Sequence, residues 1–336
     1  MAQRDMFKGH PSGAEYVVDD LLRIDGVKEA SSMSYPFWVR SLPLNASNVT
    51  MAVNSQSGTY DIQIGKYGAL CPSASNGGSY LKFSVTLNEA AGVWGVEPRA
   101  AFAHMELSIN STQINAPDAN WLPCIMASDM ARMGQDWVAS YGSLEGLQSK
   151  TAATGALIDP TRGIPTMGNQ ATRCFILHFP RGYSILGGGC AATPVHLLHQ
   201  TLLRYIFAAP ATWIQRLDAA GQPANNVVVS GVELWTPQCQ LEPKYEAYLK
   251  ERLARADVDP SAGILIDTPT QEVVTQSLTT NAVATNGQQL IFPTTRQFVN
   301  NLECVFKQNG VAGLDALWKG CGSVRAYINK IGRAHV

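Results

Sequence analysis

The sequence predicts an all-β protein: an antiparallel jelly-roll sandwich as a first barrel, then a linking helix, then the opening strands of a second, incomplete jelly roll. Three observations carry this. Six or more segments before residue 243 read as strands, several alternating apolar and polar residues as strands do when only one face is buried. No βαβ rhythm occurs, which argues against a parallel doubly wound sheet. One charged stretch from residue 243 switches to helical periodicity, and β-type sequence resumes beyond it.

Residues 1–48 read as an N-terminal arm. "AEYVVDDLLRIDG" carries Val17, Val18, Leu21, Leu22 and Ile24 at helical spacing, with Gly26 placed to end a short helix. "SSMSYPFWVRSLPLNAS" is rich in Pro, Ser and aromatics without period, so it predicts an extended segment whose Phe37–Trp38 pair packs on its own domain.

The first barrel is expected over 49–242. In "GTYDIQIG" Tyr60, Ile62 and Ile64 share a face; in "SYLKFSVTLN" Leu81, Phe83, Val85 and Leu87 do. "AAFAHMELSINSTQIN" sets Ala103, Met105, Leu107 and Ile109 against His104, Glu106, Ser108 and Asn110. A more helical stretch follows Pro117 and Asp118, with Met126, Met130, Met133 and Trp137 at spacings that suit core filling. Residues 142–171, rich in Gly, Ser, Thr and Ala, predict a long insertion loop. Strands resume with Phe175, Leu177 and Phe179, then with Leu202, Arg204 and Ile206 in alternation, and "NNVVVSGVELWTPQC" closes the set.

The linking helix is expected over 243–256. Pro243 suits the first turn, where its missing N–H is not needed. Tyr245, Leu249 and Leu253 recur every four residues, and Glu246–Lys250 and Glu251–Arg255 are favourably ordered i,i+4 pairs. Residues 257–330 predict a partial second barrel, its strand runs "GILIDTPTQEVVTQSL" and "GQQLIFPTTRQFVNNLECVFK" separated by a polar turn. The final six residues, "IGRAHV" (331–336), can be spelled ATC GGA AGA GCA CAC GTC, which looks like a common sequencing-adapter read in frame. They are read as a scar, and the reading frame is expected to be cut inside the second barrel.

Composition narrows function. Hydrophobic residues are 46% of the 336, enough for a full core, while charged residues are only 15%, against roughly 25% in an average soluble chain. A surface so poor in charge suits contact with further copies of itself, because few charges need desolvation there. The net charge of −1 argues against a polybasic nucleic-acid binder, and no sequence-specific nucleic-acid binding is expected. No apolar run reaches the roughly 18 residues that span a bilayer, and the N-terminus lacks the apolar region of a signal peptide. The seven cysteines are scattered without a C-x-x-C pair, and predict reduced, mostly buried thiols made in a reducing compartment. The sequons at Asn45, Asn48 and Asn110 are then accidental.

Chemistry leaves little trace. Phosphate-loop, H-E-x-x-H, G-x-S-x-G and G-x-G-x-x-G patterns are absent. "GGGC" (187–190) lacks a following Lys or helix cap and predicts a turn. His196 and His199 have the spacing of a metal pair, without acidic or thiol partners at matching positions. Cys190 with His196 could form a nucleophile pair, but a buried structural thiol is the expectation. Asp19–Asp20 and Asp257–Asp259 sit at solvent-facing helix ends. No catalytic, cofactor-binding or metal residue is expected, nor a cofactor, nor an enzyme.

Four passages in order carry a family resemblance: "AAFAHMELSINSTQIN…NW", "CFILHFPRGYSIL…TPVHLLHQTLLRYIF", "VVVSGVELWTPQCQLEPKYEAYLKERL" and "GILIDTPTQEVVTQSL…QQLIFPTTRQFVNNLECVF", together covering most of 58–307. They resemble the double jelly-roll major capsid proteins of icosahedral DNA viruses, the lineage of adenovirus hexons, virophage capsids and tailless membrane-containing phages. The resemblance implies a structural subunit whose homotrimers, pseudo-hexagonal in outline, tile an icosahedral shell. It implies self-association with neighbouring capsomers, minor or vertex capsid proteins as partners, and a location in the virion after assembly inside the host cell. The arm is a candidate contact to an internal membrane. A jelly-roll carbohydrate-binding protein or glycan-active enzyme is the alternative, since it shares the sandwich and the low charge. A single-barrel vertex protein is disfavoured by the helix.

Overall fold

In "YLKFSVTL" the alternation is carried into space without a slip. Leu81, Phe83, Val85 and Leu87 are fully buried, and the residues between them are half-buried on the opposite face. The computed structural model describes residues 36–72, 78–115, 166–179, 185–187, 192–216 and 222–256, less positions 93, 97 and 169, together with 258, 259 and 263. The arm helix, the Met126–Trp137 stripe, Cys190, the strand runs of 257–330 and residues 331–336 lie outside the described residues.

The described strands are β1 (Phe37–Ser41), β2 (Val49–Met51), β3 (Thr59–Gln63), β4 (Ala69–Leu70), β5 (Tyr80–Leu87), β6 (Trp94–Val96), β7 (Phe102–Ile109), β8 (Thr112–Asn115), β9 (Thr166–Met167), β10 (Thr172–His178), β11 (Thr201–Phe207), β12 (Ile214–Arg216) and β13 (Val227–Cys239). One sheet runs β1-β13-β5-β10, with β2 and β4 also pairing along β13; the other runs β3-β11-β7-β8. A small third sheet, β12-β6-β9, flanks them.

The order has a simple origin. Of the strands in the two main paths, the first pairs with the last (β1–β13), the second with the seventh (β3–β11), the third with the sixth (β5–β10), and the fourth with the fifth (β7–β8). These four antiparallel pairs form one long ribbon. Wrapping the ribbon sets β13 beside β5 and β11 beside β7, again antiparallel, and yields two facing sheets. This is the jelly roll, and the described residues form it as an all-β antiparallel sandwich.

Side chains from both sheets meet in an aromatic core. Phe102 stacks on Phe207 at 4.9 Å, and Phe83 meets Phe102, Phe175 and Phe207 within 6.0 Å. Phe83, Phe175, Tyr205 and Phe207 are fully buried. A smaller cluster of Ala69, Ala192, Cys239, Leu241 and Leu249 receives the helix α1 (Pro243–Ala256), with Cys71, Leu197 and Tyr245 packed against it. Glu246–Lys250 and Glu251–Arg255 close as ion pairs at 2.6 and 2.5 Å.

Four readings change. Phe37–Ser41, expected within the arm, is a strand of the first sheet: Val39 and Ser41 face inward while the residue pairs run along β13 from Gln238 to Leu234. Its short alternation is masked in sequence by the Pro and Ser around it. In β11 the inward residues are Leu203, Tyr205 and Phe207, so Arg204 and Ile206 belong to the outer face. Residues 142–171 are not all loop, because Thr166–Met167 pairs with β6. The alternation read through "AAFAHMELSINSTQIN" breaks at Asn110 and Ser111, which take positive φ (49° and 66°) and turn β7 into β8, a conformation in which Asn is among the least strained residues.

Candidate interaction surfaces

The last strand of the ribbon sets what its sheet shows to solvent. Along β13 the buried residues are Val227 and Val229, then Val232 and Leu234, so the inward phase shifts by one. The cause is an extra residue between Ser230, opposite Ser84, and Glu233, opposite Lys82, with Gly231 at φ +60°. Such a bulge inserts one residue and re-aims those that follow. Asn48 accepts from the Gly231 amide at 3.1 Å and holds the bulge in place.

Beyond the bulge, Glu233 and Trp235 point outward. Trp235 donates its indole N–H to Glu233 at 2.9 Å, and Glu233 also meets Arg40 at 3.5 Å and Lys82 at 3.6 Å. Trp38, Trp235, Tyr80 and His178 line up across four neighbouring strands: Tyr80 lies 5.2 Å from Trp38, 6.2 Å from Trp235 and 5.5 Å from His178. Burial in this row, with Glu233 nearby, raises the Tyr80 phenol above its ordinary range. Trp38 remains 43% exposed, and Leu42 and Leu44 follow it outward.

The opposite sheet shows a charged face instead. Arg204 forks onto Asp61 and reaches Glu106 at 3.6 Å, while His104 lies 3.2 Å from Glu106. These groups sit side by side because Arg204 is opposite Asp61 on β3 and Glu106 on β7.

The seam beneath α1 is held by several short contacts. Gln238, fully buried, accepts from the amides of Tyr67 (3.1 Å) and Gly68 (2.9 Å) and donates to the Gly65 carbonyl (2.6 Å). Gly68 passes so close that a Cβ would lie 2.3 Å from the Cys239 carbonyl oxygen. His196, in a 3-10 turn over Val195–Leu197, reaches Glu246 of α1 at 4.0 Å. Burial holds its pKa below the ordinary value, although the Gly68 backbone and Glu246 pull the other way. His199 is engaged through its carbonyl, which accepts from Lys66. The two histidines therefore do different things, and among the described residues no three His, Cys, Asp or Glu side chains gather to hold a metal ion. Among the described residues, no helix is long and apolar enough to cross a membrane.

The three sequon asparagines bind their own barrel. Asn45 donates to the Thr59 carbonyl and accepts from the Asp61 amide, Asn48 holds Gly231, and Asn110 accepts from the Gln200 amide. Glu89 was not singled out in sequence. Buried at 6% exposure, its carboxylate accepts from the amides of Ala224 and Asn225, both at 2.8 Å.

No protein-family model and no curated protein matches this chain. Among solved structures it is similar to the Faustovirus major capsid protein at 9% identity and TM-score 0.40, covering 67% of this chain and 57% of that one. Similarity to the mavirus major capsid protein is at 12% identity and TM-score 0.37, over 66% and 50% of the two chains. For PBCV-1 VP54 fitted into a reconstruction of the virophage Sputnik, the values are 13%, 0.37, 67% and 47%. The chain thus spans about half the length of these solved chains.

Proposed function

We propose that this chain is a structural subunit, a major capsid protein of the double jelly-roll type, whose homotrimers tile an icosahedral viral shell. The observation that carries the reading is the ribbon order: β1-β13-β5-β10 against β3-β11-β7-β8, with α1 beginning four residues after β13 ends. The resemblance of four ordered sequence passages supports it, as does a surface in which charged residues are few. In this reading residues 1–48 contribute an arm that ends in the barrel's first strand, Phe37–Ser41, while 49–242 supply the rest of the first barrel, 243–256 the linking helix and 257–330 part of a second barrel. Partners are neighbouring capsomers and minor or vertex capsid proteins, the arm reaches toward an internal membrane, and the protein resides in the virion after assembly in the host cell. It carries out no catalysis, and its contacts with nucleic acid are not sequence-specific.

Native mass spectrometry and electron microscopy of the full-length gene product test this. Trimers of pseudo-hexagonal outline are expected, since closed cyclic symmetry buries low-charge faces at little desolvation cost. A stable monomer at micromolar concentration overturns the proposal. A monomer that retains oligosaccharide would favour a carbohydrate-binding jelly roll, which the outward Trp38, Tyr80 and Trp235 would suit.

A further inference from the structure

Cys71 and Cys239 are far apart in sequence, and nothing in their spacing pairs them. The fold does. Ala69 lies opposite Cys239 and Leu70 opposite Gln238 where β4 meets β13. The Cys71 amide continues that ladder by donating to the Pro237 carbonyl at 2.9 Å, which sets Cys71 diagonally across from Cys239. Cys239 belongs to the small cluster into which α1 inserts Leu249, and Cys71 packs against that cluster. The Cys71 thiol donates toward the Pro237 carbonyl at 3.6 Å. A hydrogen bond between the two thiols lowers the pKa of Cys239 and raises that of Cys71. Cys71 is half-buried and Cys239 buried beside it, so a small peroxide approaches the pair from the Cys71 side.

We propose that Cys71 and Cys239 form an oxidisable pair, converted by a peroxide into a disulfide that clamps β4 to the end of β13 at the root of α1. The chemistry balances. Cys239, the more readily ionised thiol, attacks hydrogen peroxide: an S–O bond forms, the O–O bond breaks, and one water leaves with the Cys239 proton to give a sulfenic acid. Cys71 sulfur then attacks the Cys239 sulfur, the S–S bond forms, and the sulfenic oxygen departs with the Cys71 proton as a second water. Two thiols are oxidised by two electrons and one peroxide is reduced. Cys174, exposed on β10, is the internal comparison: it meets the oxidant first but has no described cysteine beside it.

The test treats the folded chain with a small excess of hydrogen peroxide, quenches, denatures, alkylates the remaining thiols and maps the peptides. The expected product is a Cys71–Cys239 cross-linked peptide lighter by two hydrogen atoms, with Cys174 oxidised singly. The oxidised chain should melt at higher temperature than the reduced chain, and Cys71→Ser and Cys239→Ser should each abolish that shift. The same treatment of chain denatured beforehand should give no preference for this pair. Any of four results overturns the proposal: Cys71 and Cys239 recovered as separate thiols after Cys174 has reacted, cross-links mainly to other cysteines, an equal yield from denatured chain, or a cross-link without a rise in melting temperature.

Discussion

Gln238 holds Gly68: its side-chain oxygen accepts the Gly68 amide at 2.9 Å, from a position with no solvent exposure. The same side chain also binds Tyr67 and Gly65, so one glutamine on β13 fixes the segment that leads into β4.

Gln238→Leu should therefore destabilise the fold by roughly 1–3 kcal/mol, because it strands the buried Gly68 amide and removes the partner of the part-buried Tyr67 amide and Gly65 carbonyl. Chemical denaturation gives the magnitude, and hydrogen exchange should quicken at Tyr67 and Gly68 before it does so in β5. An unchanged exchange rate at those two amides would contradict the clamp.

Gly68→Ala tests the close approach by a different route. Its Cβ would meet a backbone oxygen rather than the end of a flexible side chain, so relaxation must move β13 or the 65–68 segment. A loss of roughly 1–3 kcal/mol is expected. Gly58→Ala, where a Cβ meets nothing within 4 Å, is the comparison and should cost little.

Gly231 has open space around it, yet its φ of +60° makes substitution costly for a conformational reason. Gly231→Ala should destabilise by about 1 kcal/mol, and Gly231→Asn by less, since Asn tolerates this region. Equal stability of the three proteins in denaturant titrations would remove the bulge from the account of β13.

His196 predicts a pH dependence. Burial lowers its folded pKa below the ordinary value of 6.5, so between those two values the unfolded chain binds the proton and the folded chain does not. Stability then rises with pH through that window, is complete above about 6.5, and is lost as pH falls through it. Melting temperatures measured from pH 7.5 downward should decline for the natural chain, and His196→Gln should flatten that part of the curve. A decline of the same slope in the variant would assign it to other groups.

Phe83→Ala should be the most damaging of these changes, costing roughly 3–5 kcal/mol, because it opens a cavity among Phe102, Phe175 and Phe207. Trp38→Ala, on the outer face, should leave the melting temperature nearly unchanged. Differential scanning calorimetry of the two variants separates core from surface directly.

Much of the sandwich was legible in the sequence, for a local reason. Successive side chains of a strand point to opposite faces, so the spacing of Leu81, Phe83, Val85 and Leu87 already names what is buried. The helix Pro243–Ala256 was legible likewise, since its proline, its every-fourth apolar residues and its i,i+4 charge pairs all act within a few residues. What the tertiary structure decided depends on contacts between distant segments. Whether Leu203 or Arg204 faces inward in β11 is set by the strands on either side, and the phase of β13 by a bulge that Asn48 holds. The strand at Phe37–Ser41 exists as one because β13 offers it an edge. Glu89 found its amides, Gln238 its glycine and Cys71 its neighbouring thiol only when the ribbon wrapped, because pairing energy between remote residues leaves no periodic mark on either one.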